Sequence, residues 1–434
     1  MAEVMRYAEM KDSGVDWLGE IPSHWNVARL KYLFSIKKDI AGKDGYTVLS
    51  VTQRGIVPKN MMDKGQFAMD YSKYQIVTSG EFIMNHMDLL TGWVDISSYD
   101  GVTSPDYRVF FMKKGAGYAP YYRYIFQTCY TCRIFYGLGQ GVAGFGRWRL
   151  PAELFLNFEL PIPSIEEQQA IASYLDDQCT QIDDIIASAK VSIEEYKAWK
   201  ASVIYEAVTK GLDASAEMKD SGVGWIGMMP SHWGTIALKL ATSKIGSGKT
   251  PSGGAEVYSS EGIMFLRSQN VYNTGLILDD VSFISEEIDE EMKNTRVQYR
   301  DVLLNITGGS IGRCCLFDKK ERANVNQHVC IIRTIQEKIL PEYLRYFWNS
   351  ACGPVVVEKF QTGGNRAGLN FEQIGSVKIP WPAVDEQQKI VAHLDSLCRE
   401  IDQLISEKEG LIVDLESYKK SLIYEVVTGK RKVA

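Results

Sequence analysis

The sequence has few of the residues from which catalytic and metal sites are usually built. It holds five histidines in 434 residues, and its eight cysteines include only one CxxC motif, whereas a structural zinc site needs a second pair. GSGKT at 246–250 lacks the first glycine of a phosphate-binding loop, because position 243 is serine. We therefore expect no metal site, no cofactor site and no catalytic triad, and we interpret the cysteines as reduced thiols.

Long apolar segments and a charged leader are also missing. No apolar run approaches 18 residues, and the first residues do not join a basic start to an apolar stretch. The composition, 45% hydrophobic and 24% charged, is ordinary for a globular protein of two or three domains. These features predict a cytoplasmic protein that is neither secreted nor membrane-spanning.

An overall positive charge is the third absence. The formal net charge is −6, and the acidic excess is concentrated in residues 161–212 (−5) and 381–434 (−2), whereas 1–160 carry +2 and 213–380 carry −1. Near-neutral domains cannot hold DNA by counterion release alone. A DNA ligand would therefore require base contacts, partner subunits or both.

Internal repetition is what the sequence does contain. EMKDSGVDWLGEIPSHW (9–25) returns as EMKDSGVGWIGMMPSHW (217–233), with 13 of 17 positions identical. PSIEEQQAIASYLDDQCTQID (163–183) returns as PAVDEQQKIVAHLDSLCREID (382–402). The inserts between these repeats, about 34–160 and 242–380, have no obvious likeness. This order predicts two different recognition segments, the inserts, held in fixed positions by one repeated framework.

The acidic repeats are predicted to be two long helices. Apolar residues recur every three or four positions over 171–208, and over 390–426 they fall on two seven-residue grids. One grid passes through Leu394, Ile401, Leu415 and Leu422, and the other through Leu397, Leu404, Leu411 and Tyr418. Together the two grids are predicted to form a heptad seam. Helices of roughly 43 residues would be about 65 Å long. A pseudo-twofold relation between the halves would make them antiparallel; the alternative is that they are the core edges of two ordinary domains.

Capping signals mark where these helices should start. Ser164 and Glu167 form an S-x-x-E capping box after Pro163. The second copy has alanine at the corresponding position, so Asp385 with Gln388 is the candidate cap there.

The inserts are predicted to be mixed α/β with a bias to strands. Strand-like segments bounded by turn residues occur at 46–52, 81–86, 106–112, 262–271, 301–317 and 328–334. Each insert then continues with a helical segment (118–128 and 340–350) and a glycine-rich loop (137–150 and 361–370), before an IP-x-P turn into the long helix. The two inserts therefore share one plan despite their unlike sequences.

Side chains able to read base edges are concentrated in predicted turns of the inserts. Arginine and lysine suit guanine, asparagine and glutamine suit adenine, and glycine lets the backbone approach phosphates. The candidates in the first insert are Gln53, Arg54, Gln140, Arg147 and Arg149, and those in the second are Lys249, Thr250, Arg267, Gln269, Asn270, Asn326, Gln327, Asn365 and Arg366. Each alone is more simply a solvated turn residue. As clusters, above all in the two glycine loops, they are candidate DNA contacts.

The motifs SGVDWLGEIPSHW and EEQQAIASYLD, with their second copies SGVGWIGMMPSHW and DEQQKIVAHLD, resemble the specificity subunit of type I restriction–modification systems along the whole chain. The resemblance implies two globular α/β target recognition domains, 1–162 and 213–381, and two conserved spacer helices, 163–212 and 382–434, that form an antiparallel coiled coil. It implies a non-catalytic subunit that recognises a bipartite asymmetric DNA site, one half per domain, with the helices setting the unread spacer.

The resemblance also implies partners. Two methyltransferase subunits that carry S-adenosylmethionine would dock on the helices, and restriction subunits that use ATP and Mg²⁺ would act as motor and nuclease. This chain would hold no cofactor of its own. Three alternatives remain open from the sequence: a coiled-coil scaffold for two protein- or ligand-binding domains, an enzyme in its own right, and a specificity subunit of a methylation-only system.

Overall fold

Two parts of the chain fold around separate cores, and both long helices contribute to each. The computed structural model describes residues 5–59, 70–141, 148–361 and 368–433. Unit 1 consists of Met1–Ala189 and Gly410–Ala434, and unit 2 consists of Lys190–Glu409. The start of the first long helix thus belongs to unit 1 with the end of the second, and the remaining segments belong to unit 2.

The first half of the chain contains twelve of the described strands and five helices. The strands are β1 (Met10–Asp12), β2 (Glu20–Pro22), β3 (Asn26–Arg29), β4 (Phe34–Lys37), β5 (Leu49–Thr52), β6 (Gly55–Pro58), β7 (Gln75–Val77), β8 (Phe82–Met84), β9 (Val94–Ile96), β10 (Gly101–Thr103), β11 (Arg108–Met112) and β12 (Glu159–Ile162). The helices are α1 (Leu30–Leu33), α2 (Ala119–Thr131), α3 (Ile134–Gly137), α4 (Ala152–Asn157) and α5 (Ile165–Lys210).

The second half follows the same order with additional short strands. The strands are β13 (Met218–Asp220), β14 (Met228–Pro230), β15 (Gly234–Ala237), β16 (Thr242–Ser247), β17 (Ile263–Leu266), β18 (Val271–Tyr272), β19 (Gly275–Leu276), β20 (Ser282–Ile284), β21 (Arg296–Val297), β22 (Val302–Asn305), β23 (Cys314–Leu316), β24 (Ala323–Val325), β25 (Val329–Thr334) and β26 (Lys378–Trp381). The helices are α6 (Leu238–Ala241), α7 (Glu286–Glu291), α8 (Pro341–Asn349), α9 (Cys352–Phe360), α10 (Phe371–Ser376) and α11 (Val384–Val427).

A four-stranded antiparallel sheet with one strand order lies in each unit. The order is β4-β11-β8-β9 in unit 1 and β16-β25-β22-β23 in unit 2. The register also agrees: Phe110 lies opposite Phe82 in the first sheet, and Ile332 lies opposite Val302 at the corresponding place in the second. The inserts are therefore two versions of one mixed α/β fold, and the predicted shared plan is confirmed.

The two units differ in what surrounds this sheet. Unit 2 has a second four-stranded sheet, β20-β17-β24-β21, in which β17 and β24 are parallel. Unit 1 has the hairpin β5–β6 and the pair β7–β10 instead. The segments 160–163 and 379–382, predicted as turns, mostly form strands β12 and β26, which pair with β3 and β15. The repeated frame thus closes each unit by joining its beginning to its end.

Aromatic rings fill the core of unit 1. Phe34, Phe82, Phe110 and Phe126 are almost completely buried. Phe82 and Phe110 stack with ring centroids 4.9 Å apart, and Phe126 meets Phe110 edge-on at 5.4 Å. Such pairs add about 0.5–1.5 kcal/mol beyond their area burial. A rigid core of this kind holds the sheet edges, from which the loops extend, in fixed positions.

The two long helices are present where they were predicted. Helix α5 has 46 residues and α11 has 44, so they are about 69 and 66 Å long at 1.5 Å per residue. The capping box is confirmed, because the Glu167 amide donates to Ser164 Oγ at 3.2 Å and the Ser164 amide donates to Glu167 Oε2 at 3.4 Å. The cap predicted from Asp385 and Gln388 is wrong: α11 begins at Val384, which places Asp385 inside the first helical turn.

Within unit 1 the two helix segments run antiparallel. Lys419 Nζ lies 2.6 Å from Asp183 Oδ2. Beyond the end of α11, Gly429 packs against the ring of Trp25, and the Trp25 indole donates to Glu167 at the start of α5 at 3.3 Å. The end of one helix therefore lies beside the start of the other.

Within unit 2 the helix segments are arranged in the same way. Lys200 Nζ lies 2.6 Å from Asp402 Oδ2. Gly211, just past the end of α5, lies against Trp233 and close to the Glu386 carboxylate near the start of α11. The predicted antiparallel pairing is thus observed inside each unit.

One of the two apolar grids predicted for the second helix is buried and the other is not. In the first grid Leu394, Ile401 and Leu422 are fully buried and Leu415 is half-buried. In the second grid Leu397 is half-buried, but Leu404, Leu411 and Tyr418 are 38%, 40% and 46% exposed. The prediction that this second grid forms the seam is wrong. Its place is taken one residue later by Cys398, which is buried, and by Ile405 and Ile412, which are half-buried. Steps of three and four fit the same heptad, and both sets are apolar, so periodicity did not distinguish them.

The repeated EQQ motif makes the same contacts in both units. Gln168 accepts a hydrogen bond from the Tyr118 amide at 2.8 Å, at the start of α2, and donates to Pro163 O at 3.0 Å. Gln387 makes the corresponding bonds, accepting from the Leu340 amide at 2.9 Å at the start of α8. Both glutamine side chains are buried. The motif thus connects the start of each long helix to a shorter helix in the core of the same unit.

The PSHW repeat meets the same turn of the long helix. His24 Nε2 lies 3.0 Å from Glu167 Oε1 in unit 1, and His232 Nε2 lies 3.3 Å from Glu386 Oε2 in unit 2. The PSHW and EQQ repeats, which are distant in the sequence, therefore form one set of contacts, which occurs once in each unit.

Among the helices of the described ranges, none combines the length and the apolar character that crossing a bilayer requires. All eight cysteines are described and each is a free thiol; only Cys132 is exposed.

Candidate nucleic-acid interface

In unit 2, the loops that carry the predicted base-reading residues meet at one edge of the sheets. Strands β17 and β24 are parallel neighbours, with Leu266 opposite Val325 at their ends, so the loops that follow them leave the same edge. The loop after β16 also reaches this edge, because a Cβ on Gly248 would lie 1.5 Å from Val325 O. Only glycine fits at position 248 without a shift, and this holds the GSGKT segment against the turn at 326–328.

A chain of hydrogen bonds links these loops through His328. Gln327 Oε1 accepts from the Thr250 hydroxyl, Gln327 Nε2 lies 3.0 Å from His328 Nε2, and His328 Nδ1 lies 2.5 Å from Thr307 Oγ1. Lys249 is exposed next to Thr250. Thr250 and Gln327, which were predicted in separate loops, are therefore bonded directly, and His328 and Thr307 extend the chain from Gln327.

Two more predicted residues lie on the turn after β17 and are partnered by one carboxylate. Arg267 Nη2 donates to Asp280 O at 3.3 Å and lies 3.9 Å from its carboxylate. Gln269 Nε2 donates to Asp280 Oδ2 at 2.6 Å. A nucleic acid would have to compete with Asp280 for both side chains.

Two of the three asparagines of the predicted set are engaged by the backbone. Asn270 is 1% exposed; its amide donates to Ile277 O at 3.0 Å and accepts from the Arg267 amide at 2.9 Å. Asn326 is 9% exposed and accepts from the His328 amide at 3.1 Å. We assign both residues to holding the loops in place rather than to contacting bases.

The described end of the glycine loop of unit 2 lies beside the same site. Asn365 and Arg366 lie outside the described residues. The loop returns at Gly368, which forms an antiparallel bridge with Thr307, the residue bonded to His328. The glycine loop and the GSGKT segment are thus connected through one short chain of contacts.

The glycine loop of unit 1 is closed by a pair of backbone bonds. Arg147 lies outside the described residues. The Gln140 amide donates to Arg149 O at 2.9 Å and the Arg149 amide donates to Gln140 O at 3.1 Å, and both side chains are exposed. The Trp148 indole lies where a Cβ on Gly139 would be, 2.1 Å from Nε1. The exposed Gln140 and Arg149 side chains therefore stand at a fixed loop base.

The second predicted location in unit 1 is separate. Gln53 and Arg54 are exposed at the tip of the hairpin β5–β6, where the Arg54 amide donates to Thr52 Oγ1 at 3.1 Å. The hydrogen bonds of the described residues do not join this tip to Gln140 or Arg149. Unit 1 thus offers two sets of exposed polar side chains rather than one network.

The base of the unit 1 glycine loop is positively charged. Arg108 is 6% exposed and donates to Leu150 O at 2.8 Å. Burial, together with the charges of Arg108 and Arg149, lowers the pKa of His86 to about 4. His86 is therefore neutral near pH 7, and the local charge is that of the arginines, although the insert as a whole is almost neutral.

The two glycine loops rejoin their units at equivalent places. The Leu150 amide donates to His86 O at 2.9 Å, and the Leu369 amide donates to Ile306 O at 2.9 Å. His86 and Ile306 each lie two residues past the strand positions Met84 and Leu304, which are equivalent in the two sheets. One scaffold therefore presents two different sets of loop side chains.

A family model, described as the type I restriction modification DNA specificity domain, matches this chain twice, at residues 22–195 and 231–411. The chain belongs to this DNA specificity family. Each match contains one insert and most of one long helix, so the family unit occurs once for each copy of the repeat. The resemblance drawn from the PSHW and EQQ motifs is confirmed, and the scaffold without a DNA role is not favoured.

Two curated members of the specificity family are similar along nearly the whole chain, and a third matches part of it. The type I restriction enzyme MjaVIII specificity subunit of Methanocaldococcus jannaschii is 26% identical over 428 residues, which covers 95% of this chain and 94% of that one. The putative type I restriction enzyme MjaX specificity subunit of the same organism is 22% identical, with 96% of both chains covered. The EcoBI specificity subunit of Escherichia coli is 23% identical over 62% of this chain and 58% of its own.

Solved structures share the fold. A chain from a structure of a type I R-M system superposes with a TM-score of 0.71 at 12% identity, covering 94% of this chain and 98% of that one. The HsdS subunit from Thermoanaerobacter tengcongensis gives a TM-score of 0.55 at 13% identity, with the same coverage. These likenesses support the predicted fold of mixed α/β recognition domains with long paired helices.

Sequence reasoning missed two residues of the unit 2 site, His328 and Thr307. His328 follows the predicted pair Asn326 and Gln327 directly, and a histidine within such a polar turn was a usable signal. Thr307 gave no comparable signal, because its role depends on the pairing of β22 with β25, which brings Asn305 opposite Val329.

Proposed function

We propose that this chain is the DNA-recognition subunit of a type I restriction–modification complex, and that each unit reads one half of a bipartite, asymmetric DNA site. One observation carries the proposal: glycine loops rejoin two copies of one sheet at equivalent places, and the exposed polar side chains around the two loops differ. Base readout in the major groove depends on the donors and acceptors of such side chains. Two unlike sets of readers are suited to two unlike half-sites.

The exposed members of the predicted set are the proposed contacts. In unit 1 they are Gln53, Arg54, Gln140 and Arg149, and in unit 2 they are Lys249, Thr250 and Gln327, with Gln269 where DNA displaces Asp280. Arg267, which is half-buried and also bonded to Asp280, is proposed on the same condition. Arg147, Asn365 and Arg366 are proposed on sequence grounds only. Because two readers joined in one chain act at high effective concentration, their selectivities multiply.

The acidic helices are proposed to serve the rest of the complex. Segments 161–212 and 381–434 carry net charges of −5 and −2, so they are unsuited to lie along phosphates and are available to proteins instead. We infer that they dock two methyltransferase subunits that carry S-adenosylmethionine, and that their length sets the unread spacer. Restriction subunits would supply ATP- and Mg²⁺-dependent motor and nuclease activity, and catalysis would reside in these partners. Since the ligand would be the chromosome, we expect the complex in the cytoplasm.

Methylation mapping of the host genome with and without this gene tests the proposal. The intact host should carry N6-methyladenine at a bipartite motif with two unlike halves, and deletion should abolish it. Complementation with the intact gene should restore the motif and is the control. Methylation that is unchanged by the deletion would contradict the proposal.

A further inference from the structure

Two hydrogen bonds fix the orientation of the Gln327 side-chain amide. Its Oε1 accepts from the Thr250 hydroxyl, and its Nε2 lies 3.0 Å from His328 Nε2. The side chain itself is exposed at the sheet edge. An exposed glutamine normally rotates freely, so a fixed amide at this edge calls for an explanation.

The histidine ring decides which way the amide faces. An amide nitrogen can only donate, so His328 Nε2 must accept from it. A neutral imidazole has one proton, which therefore sits on Nδ1 and donates to Thr307 Oγ1 at 2.5 Å. The backbone is held as well, because the His328 amide donates to Asn326 Oδ1 at 3.1 Å. Both the ring and the backbone of His328 are therefore held by hydrogen bonds.

One acceptor and one donor of the amide remain unused. A glutamine amide has two N–H groups and two oxygen lone pairs, and the network uses one of each. The remaining pair faces away from Thr250 and His328. Adenine presents a matching pair in the major groove, an acceptor at N7 and a donor at N6, whereas guanine presents two acceptors there.

We propose that Gln327 reads an adenine in the half-site of the second recognition domain, and that His328 is a positioning residue that fixes the amide for this contact. The inference rests on the proposed function, since it names one base contact within it. Gln327 would thus differ in role from Lys249, which is exposed next to Thr250 and whose ammonium group is free to contact phosphate.

Base-analogue substitution tests the contact directly. The full chain in complex with its methyltransferase subunits is bound to duplexes carrying its mapped motif, in which each adenine of the second half-site is replaced in turn by 7-deazaadenine, which lacks N7. One replacement removes the N7 hydrogen bond and should weaken binding by the wild-type complex several-fold, by less than the roughly 5- to 150-fold that a whole bidentate contact is worth. Gln327→Ala removes both bonds, so it should bind the natural duplex more weakly by a factor within that range and should be insensitive to the replacement.

A matched control is Gln298→Ala, which should behave as wild type. Gln298 is an exposed glutamine that precedes the start of β22, whereas Thr307 follows the end of that strand. His328→Ala should reduce the preference for adenine over guanine at the same position, and His328→Gln, which again offers an acceptor to the amide, should restore part of it. A 7-deazaadenine penalty that persists in Gln327→Ala, or a second half-site without a sensitive adenine, would overturn the inference. A wild-type complex that binds all duplexes alike would instead contradict the proposed function.

Discussion

Gln168→Ala tests whether the buried glutamine of the repeated EQQ motif stabilises unit 1. The substitution leaves the Tyr118 amide and Pro163 O without the partners that lie at 2.8 and 3.0 Å. An unsatisfied buried polar group costs about 1–3 kcal/mol. Pro163 is buried but Tyr118 is only half-buried. We therefore expect the free energy of unfolding of unit 1 to fall by about 2–4 kcal/mol, which is the lower part of the range for two groups that lose their partners.

The neighbouring glutamine is the matched control. Gln169 has the same chemistry one position later and is exposed, so Gln169→Ala should change stability by no more than about 0.5 kcal/mol. Urea unfolding gives the free energies, and hydrogen exchange should show that protection is lost in α2 in particular. In unit 2 the equivalent comparison is Gln387→Ala with Gln388→Ala, with the loss located in α8. If Gln168→Ala and Gln169→Ala unfold alike, the reasoning is refuted.

Three further predictions concern the loops, the buried histidine and the helices. Gly248→Ala should push the GSGKT segment away from Val325 and abolish methylation that depends on the second half-site. Gly246→Ala should retain this methylation, because an added Cβ there meets nothing within 4 Å. Equal methylation by both variants would contradict the close packing. Burial lowers the pKa of His86 from 6.5 to about 4, so between these values the unfolded chain binds a proton that the folded chain does not, and the stability of unit 1 should fall as the pH falls from 6.5 to 4; His86→Gln should remove this dependence in urea unfolding, and an unchanged slope would speak against a buried neutral imidazole. Inserting seven residues at matched positions in α5 and α11 adds about 10 Å to each, so methylation mapping should show a spacer longer by roughly three base pairs at 3.4 Å each, with both halves unchanged; an unchanged spacer would exclude the helices as its determinant.

The repeated frame was the part of the fold that sequence reasoning predicted best. Helix periodicity and the Ser164–Glu167 box are local signals, and the structure confirms the helices they predicted. The choice between the two apolar grids of α11 was not local, because Leu404 and Ile405 are both apolar and only tertiary packing decides which is buried. The start of α11 was misjudged for a different reason. The helix begins at Val384, and the Ala383 carbonyl accepts from the Glu386 and Gln387 amides, so the cap position is held by an alanine, which has no capping side chain for a sequence pattern to reveal.

The candidate site was predicted less completely than the frame. Turn composition located the loops, but it did not reveal that Asn270 and Asn326 are engaged by backbone groups. That distinction depends on how far each side chain lies below the sheet edge, which the sequence pattern does not encode. The link from Thr250 through Gln327 to His328 joins positions 77 and 78 residues apart in the chain, so it exists only once the strands are paired.

Exchange of residues 34–160 for the corresponding insert of another family member tests most directly the claim that each unit reads its own half-site. Methylation mapping of a host that carries the exchanged gene should show one half of the motif replaced and the other half retained. An unchanged motif, or a change in both halves, would contradict the account.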